Sequence, residues 1–166
     1  MKCLVTGGAG FIGSHLVDKL LENNNQTRVL DNLLKGNKLS KSSKKCIEFI
    51  NGDVRNKNTM DKVLKNIDYV FHMAAYLGVD DVAINPIETM EVESIGTQNL
   101  IKCSLKHDVE KIIYISTSGV YGKIEFENAV NEDFLVSPSS SYAIAKRFNE
   151  IYLKSISSKY DIDTFS

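Results

Sequence analysis

The chain has 166 residues, of which 43% are hydrophobic and 25% are charged, and its net charge is −1 at pH 7. This size and composition are typical of one globular domain with its own hydrophobic core. The balance of 20 basic and 21 acidic residues provides no general attraction to nucleic acid or to an anionic membrane. No apolar run approaches the ~20 residues that a membrane-spanning helix needs.

The amino-terminal residues and the cysteines indicate the compartment. We expect no signal peptide, because the chain enters a predicted strand within its first residues. The cysteines Cys3, Cys46 and Cys103 are widely spaced and match no metal-binding or disulfide pattern. We therefore predict buried reduced thiols, no metal site and a cytoplasmic protein.

The first predicted strand, residues 2–6, leads into a glycine-rich turn and then into a helix over residues 11–22. Gly7, Gly10 and Gly13 have the Gly-x-x-Gly-x-x-Gly spacing of dinucleotide-binding turns. We expect Gly7 to form the tight turn, Gly10 to let the backbone approach a pyrophosphate, and Gly13 to let the helix pack on the strand. The free N–H groups at the start of the helix then face the phosphates. The alternative is a glycine-rich turn that binds nothing.

A second predicted strand, residues 27–30, ends at Asp31. A carboxylate at this position accepts hydrogen bonds from the adenosine ribose and repels a 2′-phosphate, so we predict NAD rather than NADP. The alternative for Asp31 and Asn32 is a plain Asx turn. The next segment, residues 33–45, carries five lysines and is interpreted as a solvated connection, although phosphate binding there would favour NADP.

A third predicted strand, residues 46–50, precedes Asp53. We expect Asp53 either to contact the adenine at the end of the strand or to cap the next helix, which is predicted over residues 59–65. A fourth strand over residues 69–73 is followed by Ala74 and Ala75, whose small side chains let the backbone approach a cofactor. His72 is interpreted as a packed structural histidine rather than a catalytic one.

The second half of the chain continues the alternation of strands and helices. We predict a loop over residues 76–85, a long helix from Pro86 to about residue 106, and a fifth strand over residues 111–115. A mostly irregular segment, residues 119–141, then precedes a helix over residues 142–159 and the start of a sixth strand at 161–165. This alternation predicts an α/β fold with a doubly wound parallel sheet, the Rossmann fold.

Tyr142 and Lys146 are four residues apart in the last predicted helix and therefore share one face of it. Tyrosine is a poor base at neutral pH because its ordinary pKa is about 10, and a lysine and a nicotinamide cation nearby would both favour the phenolate. Lowering the pKa to about 7 requires ~4 kcal/mol of differential stabilisation. Thr117, after the fifth strand, can hold a substrate oxygen. The alternative is an ordinary surface pair.

Together these motifs resemble the extended short-chain dehydrogenase/reductase family, in particular its NAD-dependent nucleotide-sugar epimerases and dehydratases. The matching segments cover nearly the whole chain: residues 6–13, 31–32, 52–55, 72–75, 96–100 and 116–122, and Tyr142 with Lys146. The motifs are specific for the family and poorly specific for the substrate.

The resemblance implies a reaction like that of UDP-glucose 4-epimerase, through a transient 4-keto sugar. Tyr142 is then the base and later the acid, Lys146 lowers its pKa and binds the nicotinamide ribose, and Thr117 orients the sugar hydroxyl. Ser116 or Ser118 assists Thr117. The expected cofactor-binding residues are Gly7, Gly10, Phe11, Ile12, Gly13, Asp31, Asn32, Asp53, Val54, Met73, Ala74, Ala75, Ser116, Tyr142 and Lys146.

Two features depart from the family pattern. Glu93 stands where family members usually carry asparagine, and an acidic group there could disturb cofactor or substrate geometry. Relatives also continue well past residue 166, so we expect residues 1–166 to be the NAD-binding, N-terminal part of a longer architecture whose substrate domain is largely absent. The alternatives are a non-catalytic NAD-binding module, a nucleotide-sugar 4,6-dehydratase and a uronate decarboxylase.

The resemblance also implies the partners of the protein. We expect a nucleotide-sugar substrate; the charge balance and the lack of a long apolar run already indicate neither nucleic acid nor a membrane as a partner. Family dimers often pair through the helices that correspond to residues 90–106 and 142–160, so we also expect a homodimer.

Overall fold

The computed structural model of the protein describes residues 1–76, 78–123 and 130–166. Within these ranges the strands are β1 (Lys2–Thr6), β2 (Gln26–Asp31), β3 (Glu48–Asn51), β4 (Tyr69–His72), β5 (Lys111–Tyr114) and β6 (Asp163–Phe165). They form one sheet in the order β3-β2-β1-β4-β5-β6, and every neighbouring pair is parallel. This architecture confirms the predicted Rossmann fold.

The helices connect successive strands. They are α1 (Phe11–Glu22), α2 (Ser43–Cys46), α3 (Lys57–Val63), α4 (Val79–Ile84), α5 (Pro86–Met90), α6 (Gly96–Lys106) and α7 (Ser141–Ser157). A π-helical turn, Glu91–Ile95, joins α5 to α6, and a 3-10 helix, Ser118–Tyr121, follows β5. The long helix predicted from Pro86 is therefore one helical run that contains a π-helical turn.

The structure differs from the prediction mainly in the connecting segments. The predicted loop over 76–85 contains α4, whose first turn carries Asp80 and Asp81, where carboxylates interact favourably with the helix dipole. The third strand begins at Glu48 rather than Cys46, because α2 occupies the preceding residues. The irregular segment predicted over 119–141 begins with the 3-10 helix. Leu77 and residues 124–129 of these two predicted loops lie outside the described residues.

Side chains of β1 enter two separate cores, because successive residues of a strand point to opposite faces of the sheet. Leu4 packs on the face that α3, α6 and α7 cover, whereas Cys3 and Val5 pack on the face that α1 covers. All three side chains are fully buried. A sheet buried on both faces explains the nearly continuous apolar sequence of this strand.

The connections change face between the two halves of the sheet. α1 and the segment around Leu39 pack on one face, whereas α3, α6 and α7 pack on the other. The strand order consequently reverses beside β1 and β4, and a crevice opens at the carboxyl ends of these strands. Ligands of doubly wound sheets bind in such a crevice.

The cysteine prediction was correct for two of the three residues. Cys3 and Cys103 are buried, and burial raises the pKa of both thiols, whereas Cys46 is exposed. Cys46 ends α2 at the surface, one residue before the chain turns towards β3, so its side chain does not reach either core. Across the described part of the chain, no helix is long and apolar enough to cross a membrane.

Candidate functional site

The glycine-rich turn permits a close approach of β1 to the end of β4. Gly7 has a φ of +70°, and a Cβ on it would lie 2.8 Å from the amide nitrogen of Ala74. A Cβ on Gly13 would lie 2.3 Å from the carbonyl oxygen of Gly7. Real Cβ atoms do not approach other atoms so closely, so both positions require glycine. The turn and packing roles expected of these two glycines agree with this geometry.

The start of α1 is suited to an anion. Gly10 is its N-cap residue and has no side chain with which to cap the free N–H groups of the first turn. These groups carry the positive end of the helix dipole. Gly7 and Gly10 line a cavity at this point, so the N–H groups lie beside open space.

This cavity, of about 200 Å³, lies at the carboxyl ends of β1 to β4. It brings together nine of the predicted cofactor-binding residues from four separate segments: Gly7, Gly10, Asp31, Asn32, Asp53, Val54, Met73, Ala74 and Ala75. The same wall contains Gly52 and Arg55, from the family-like segment 52–55, and seven residues that were not predicted to bind the cofactor: Leu30, Leu34, Lys35, Gly36, Tyr76, Glu88 and Val92. Most of these residues lie within a few positions of a predicted strand end, and this proximity is the sequence feature from which their place in the cavity wall could have been predicted.

Asp31 ends β2 and faces the glycine-rich turn. Its Oδ2 accepts a hydrogen bond of 3.0 Å from the amide of Ala9, and its Oδ1 accepts one of 2.8 Å from the amide of Leu33. The second bond is the Asx turn considered from the sequence. Each carboxylate oxygen has a further lone pair, so the turn and a contact with a ribose hydroxyl are compatible.

Asp53 pairs with Arg55 on the same cavity wall. The guanidinium lies 2.8 Å from Oδ2, and the hydrogen bond from Arg55 is the main reason that the pKa of Asp53 is lowered. Asp53 does not cap the next helix, because Asn56 is the N-cap residue of α3 and accepts from the amide of Thr59. The helix-cap alternative for Asp53 was therefore wrong.

The remaining predicted cofactor residues lie outside the cavity wall. Phe11 and Ile12 are at the start of α1 with their side chains 69% and 63% exposed, and Gly13 is covered by the turn. The hydroxyl of Ser116 donates to the carboxylate of Glu150. Lys35, from the lysine-rich segment, lines the cavity and pairs with Asp81 of α4, so that segment is not only a solvated connection.

A second cavity, of about 560 Å³, adjoins the first. Its lining residues include Tyr142, Ser140 and Ser141 at the start of α7 and Tyr76, which also lines the first cavity. Thr117 precedes the 3-10 helix, where its hydroxyl oxygen accepts from the amide of Gly119 at 3.1 Å. Among the described residues, His, Cys, Asp and Glu side chains form no group of three that could hold a metal ion.

Lys146 is buried close to Tyr142, which lines this second cavity. Its ammonium donates to the carbonyl oxygen of Ile115 at 2.9 Å and lies 3.2 Å from Oε2 of Glu93, which is also buried. The same Nζ lies 5.4 Å from the ring centre of Tyr142, so the predicted shared face is present. Tyr142 and Lys146 are therefore not an ordinary surface pair, because the Lys146 side chain is 2% exposed and Tyr142 is half-buried.

The chain's own residues raise the pKa of Tyr142 to about 12. Burial is the larger cause, and the nearby carboxylate of Glu93 is the second. Both effects come from the chain's own groups. That Lys146 and a nicotinamide cation together lower the pKa of Tyr142 concerns the NAD-bound protein and stays a prediction.

His72 is a structural residue, as interpreted from the sequence. The hydroxyl of Thr6 accepts from the amides of Met73 and Ala74, so its own proton points to Nδ1 of His72, 2.7 Å away. Nε2 then carries the ring proton and donates to Thr97 at 3.2 Å. Burial is the main reason that the pKa of His72 falls to about 3, so the ring is neutral.

Comparison with known proteins identifies the family. The model of the NAD dependent epimerase/dehydratase family matches residues 3–166. The chain belongs to this family. It is 40% identical over 162 residues to a putative UDP-glucose 4-epimerase of Methanocaldococcus jannaschii, and the match covers 96% of this chain and 52% of the relative.

Other family members differ in the reaction that their names describe. A UDP-N-acetyl-alpha-D-glucosaminuronate decarboxylase of Bacillus cytotoxicus is 38% identical, over 90% of this chain and 48% of its own length. The structure of UDP-glucose 4-epimerase from Thermus thermophilus in complex with NAD superposes with a TM-score of 0.90, at 33% identity, over 99% of this chain and 53% of that one. The chain spans about half the length of the curated relatives it matches. NAD, the predicted cofactor, is confirmed by the family description and by this complex.

The buried neutral histidine makes the stability of the fold depend on pH. Because the pKa of His72 is about 3 in the folded chain and about 6.5 when exposed, folding excludes a proton between these values. We expect the contribution of His72 to the free energy of unfolding to be fully present above pH ~6.5. As the pH is lowered from there towards about 3, this contribution should fall by up to about 1.4 kcal/mol per pH unit. Urea unfolding at several pH values measures this slope.

The His72→Gln variant isolates the contribution of this ring. Its stability should depend less steeply on pH below ~6.5 than that of the parent. His15→Gln is the matched control, because His15 is exposed on α1. Equal slopes for the parent and His72→Gln would contradict the assignment.

Proposed function

We propose that the protein is an NAD-dependent epimerase of UDP-linked sugars, to which residues 1–166 contribute the cofactor-binding part and the acid–base residues. The observation that carries this proposal is the buried ammonium of Lys146 beneath the ring of Tyr142, at a cavity that adjoins the strand-end crevice. A module that only binds NAD has no need of a tyrosine–lysine pair beside the dinucleotide crevice.

The residues of the crevice fit NAD. The uncapped start of α1 offers N–H groups and a partial positive charge to a pyrophosphate, next to glycines whose missing side chains leave room for it. Asp31 keeps free lone pairs for the adenosine ribose, and Asp53 and Val54 form the wall expected to flank the adenine. Lys146, and Ser116 after β5, would hold the nicotinamide end. We assign these roles from position and chemistry.

In the first half of the reaction, Tyr142 removes the proton from the 4-hydroxyl of the sugar. NAD, when bound, takes up a hydride from the same carbon and can give it back. Lys146 stabilises the negative charge of the Tyr142 phenolate. The Thr117 hydroxyl orients the sugar 4-hydroxyl towards Tyr142. The product of this half is a 4-keto sugar.

In the second half, the same residues work in reverse. The keto sugar presents its other face, the hydrogen returns to the same carbon, and Tyr142 gives its proton back to the oxygen. No proton is gained or lost over the full cycle, and the enzyme returns to its starting state. The product is the sugar with inverted configuration at this carbon.

The epimerase assignment is favoured over the other reactions of the family by one local feature. A dehydratase usually carries an acid pair beside the catalytic threonine, where this chain has Ser118 and Gly119. A uronate decarboxylase shares the oxidation half, and the similarity to the Bacillus cytotoxicus protein makes it the second candidate. Incubation of the full-length protein with NAD and UDP-glucose separates these cases, because an epimerase forms UDP-galactose. Formation of UDP-xylose from UDP-glucuronate instead would support the decarboxylase.

Tyr142→Phe removes the proposed acid–base hydroxyl while keeping the ring. We expect the rate of sugar epimerisation to fall about 10³-fold with nearly unchanged NAD affinity, because the lost group acts on the proton transfer. Tyr160→Phe is the matched control, since Tyr160 is exposed beyond the end of α7, and it should retain full activity. A Tyr142→Phe variant with parental turnover would refute the role of Tyr142.

Asp31→Asn tests the choice of cofactor. The amide keeps the shape of the carboxylate but loses its charge, so we expect the Kd for NAD to rise about tenfold and the preference over NADP to shrink. Isothermal titration calorimetry with NAD and with NADP measures both the Kd for NAD and the preference for NAD over NADP. Asp161→Asn, at an exposed position near β6, is the control and should leave both affinities unchanged. Equal loss of affinity for NAD and NADP would argue against a ribose contact.

We further propose a homodimer that pairs through the helices on one side of the sheet. Exposed apolar side chains lie on two elements that pack against each other: Ile87 on α5, and Ile144, Phe148 and Ile151 on α7. Replacing Phe148 by Glu places a charge in this surface, so we expect analytical ultracentrifugation to show a dimer for the parent and a monomer for Phe148→Glu. Leu135→Glu, at an 81% exposed position outside the helices, should stay dimeric. A monomeric parent would contradict this proposal.

A further inference from the structure

Glu93 is a buried carboxylate that the proposed mechanism does not use. It lies in the π-helical turn between α5 and α6 and is 1% exposed. Its Oε1 accepts from the amide of Tyr76 at 3.3 Å, and its Oε2 lies 3.2 Å from the ammonium of Lys146 and 3.5 Å from the hydroxyl of Tyr114. Turns of this kind are often found at functional sites.

The surroundings of Glu93 fit its ionised form. Tyr114 accepts a hydrogen bond of 3.0 Å from Asn149, so the proton of its own hydroxyl is free to point to Glu93. All polar neighbours of the carboxylate are then donors, which is the arrangement that a negative charge requires. Burial raises the pKa of Glu93 and lowers that of Lys146, and the charge of each residue opposes the effect of burial on the other. The ionised pair is favoured by the geometry, because every polar neighbour of the carboxylate donates to it.

The location of this pair is fixed from several sides. Asn149 of α7 donates to the backbone carbonyl of Glu93 at 3.0 Å, which ties the π-helical turn to the helix that carries Lys146. The carbonyl of Ile115 holds the ammonium from the end of β5. Glu93 can therefore orient Lys146 without entering either cavity.

Other titratable groups lie around the ion pair. Tyr142 and Lys146 face it from α7, and Tyr114 faces it from β5. His72 at the end of β4 is neutral because of its burial. Glu150 of α7 is already engaged by Ser116 and by Arg147, which lies 2.7 Å away. Among these described groups, Glu93 is the carboxylate in direct contact with Lys146.

We propose that Glu93 is a positioning residue that sets the pH at which Tyr142 ionises, by holding the ammonium of Lys146 and balancing its charge. This inference rests on the proposed function, because it concerns the same tyrosine. A cation that is shared with a carboxylate stabilises a phenolate less than a free cation does. Removing the negative charge of Glu93 should consequently weaken proton binding by the coupled tyrosine and lysine.

The test compares Glu93→Gln with the parent in the full-length protein loaded with NAD. Glutamine has nearly the shape of glutamate but no charge. Tyrosine labelled with ¹³C at the ζ carbon reports ionisation by NMR, and the Tyr142→Phe spectrum assigns the resonance of Tyr142. We expect its titration midpoint in Glu93→Gln to move about one pH unit lower or more, which is a tenfold change in proton affinity.

A second measurement links the ionisation to turnover. The acidic limb of the pH profile of kcat/KM for UDP-glucose should move in the same direction as the NMR midpoint. Glu91→Gln removes a charge from the same π-helical turn at an exposed position and should move neither quantity. If Glu93→Gln does not fold, Glu93→Asn offers a shorter neutral amide beside Lys146 for the same measurements.

The outcomes separate this proposal from the proposed function. If the titration midpoint of Tyr142 is lowered in Glu93→Gln but neither the parent nor the variants turn over UDP-glucose, the role of Glu93 is supported and the proposed epimerase activity is refuted. Normal turnover with an unchanged or raised midpoint in Glu93→Gln overturns the role of Glu93 and leaves the epimerase intact. Loss of folding in both neutral variants also overturns it, because Glu93 would then serve the fold alone.

Discussion

The buried ammonium of Lys146 connects the parts of the molecule that the proposed chemistry needs. It belongs to α7, binds the carbonyl of Ile115 shortly before Thr117, pairs with Glu93 of the π-helical turn and lies beneath the ring of Tyr142. Leaving either charge of such a pair unpaired in a protein interior typically costs about 3–5 kcal/mol. The pair therefore couples the geometry of the active residues to the stability of the fold.

The other part of the proposed site, the strand-end crevice for the dinucleotide, depends on the strand order and on the glycine-rich turn. The reversal of strand order beside β1 and β4 leaves the start of α1 open, and the glycines of the turn allow the end of β4 to approach it. Tyr76 lines both this crevice and the cavity of Tyr142. A dinucleotide in the crevice and a sugar at Tyr142 would consequently be neighbours.

Much of this arrangement could be predicted from the sequence, because it depends on local patterns. The glycine spacing, the apolar strands and the four-residue separation of Tyr142 and Lys146 are properties of short segments, and the fold and the crevice followed from them. The ion pair with Glu93 could not be predicted, because it joins two residues that are far apart in the sequence and depends on the π-helical turn. The exposure of Cys46 and the raised pKa of Tyr142 likewise depend on tertiary packing.

In the proposed reaction, one carbon of the sugar is oxidised and then reduced with the same hydrogen. The most direct test uses UDP-glucose that carries deuterium at C4, incubated with the full-length protein and NAD in ordinary water. We expect UDP-galactose that retains the deuterium at C4, because the hydride that leaves this carbon returns to it without exchanging with water. Loss of the label to solvent, or no conversion at all, would contradict it.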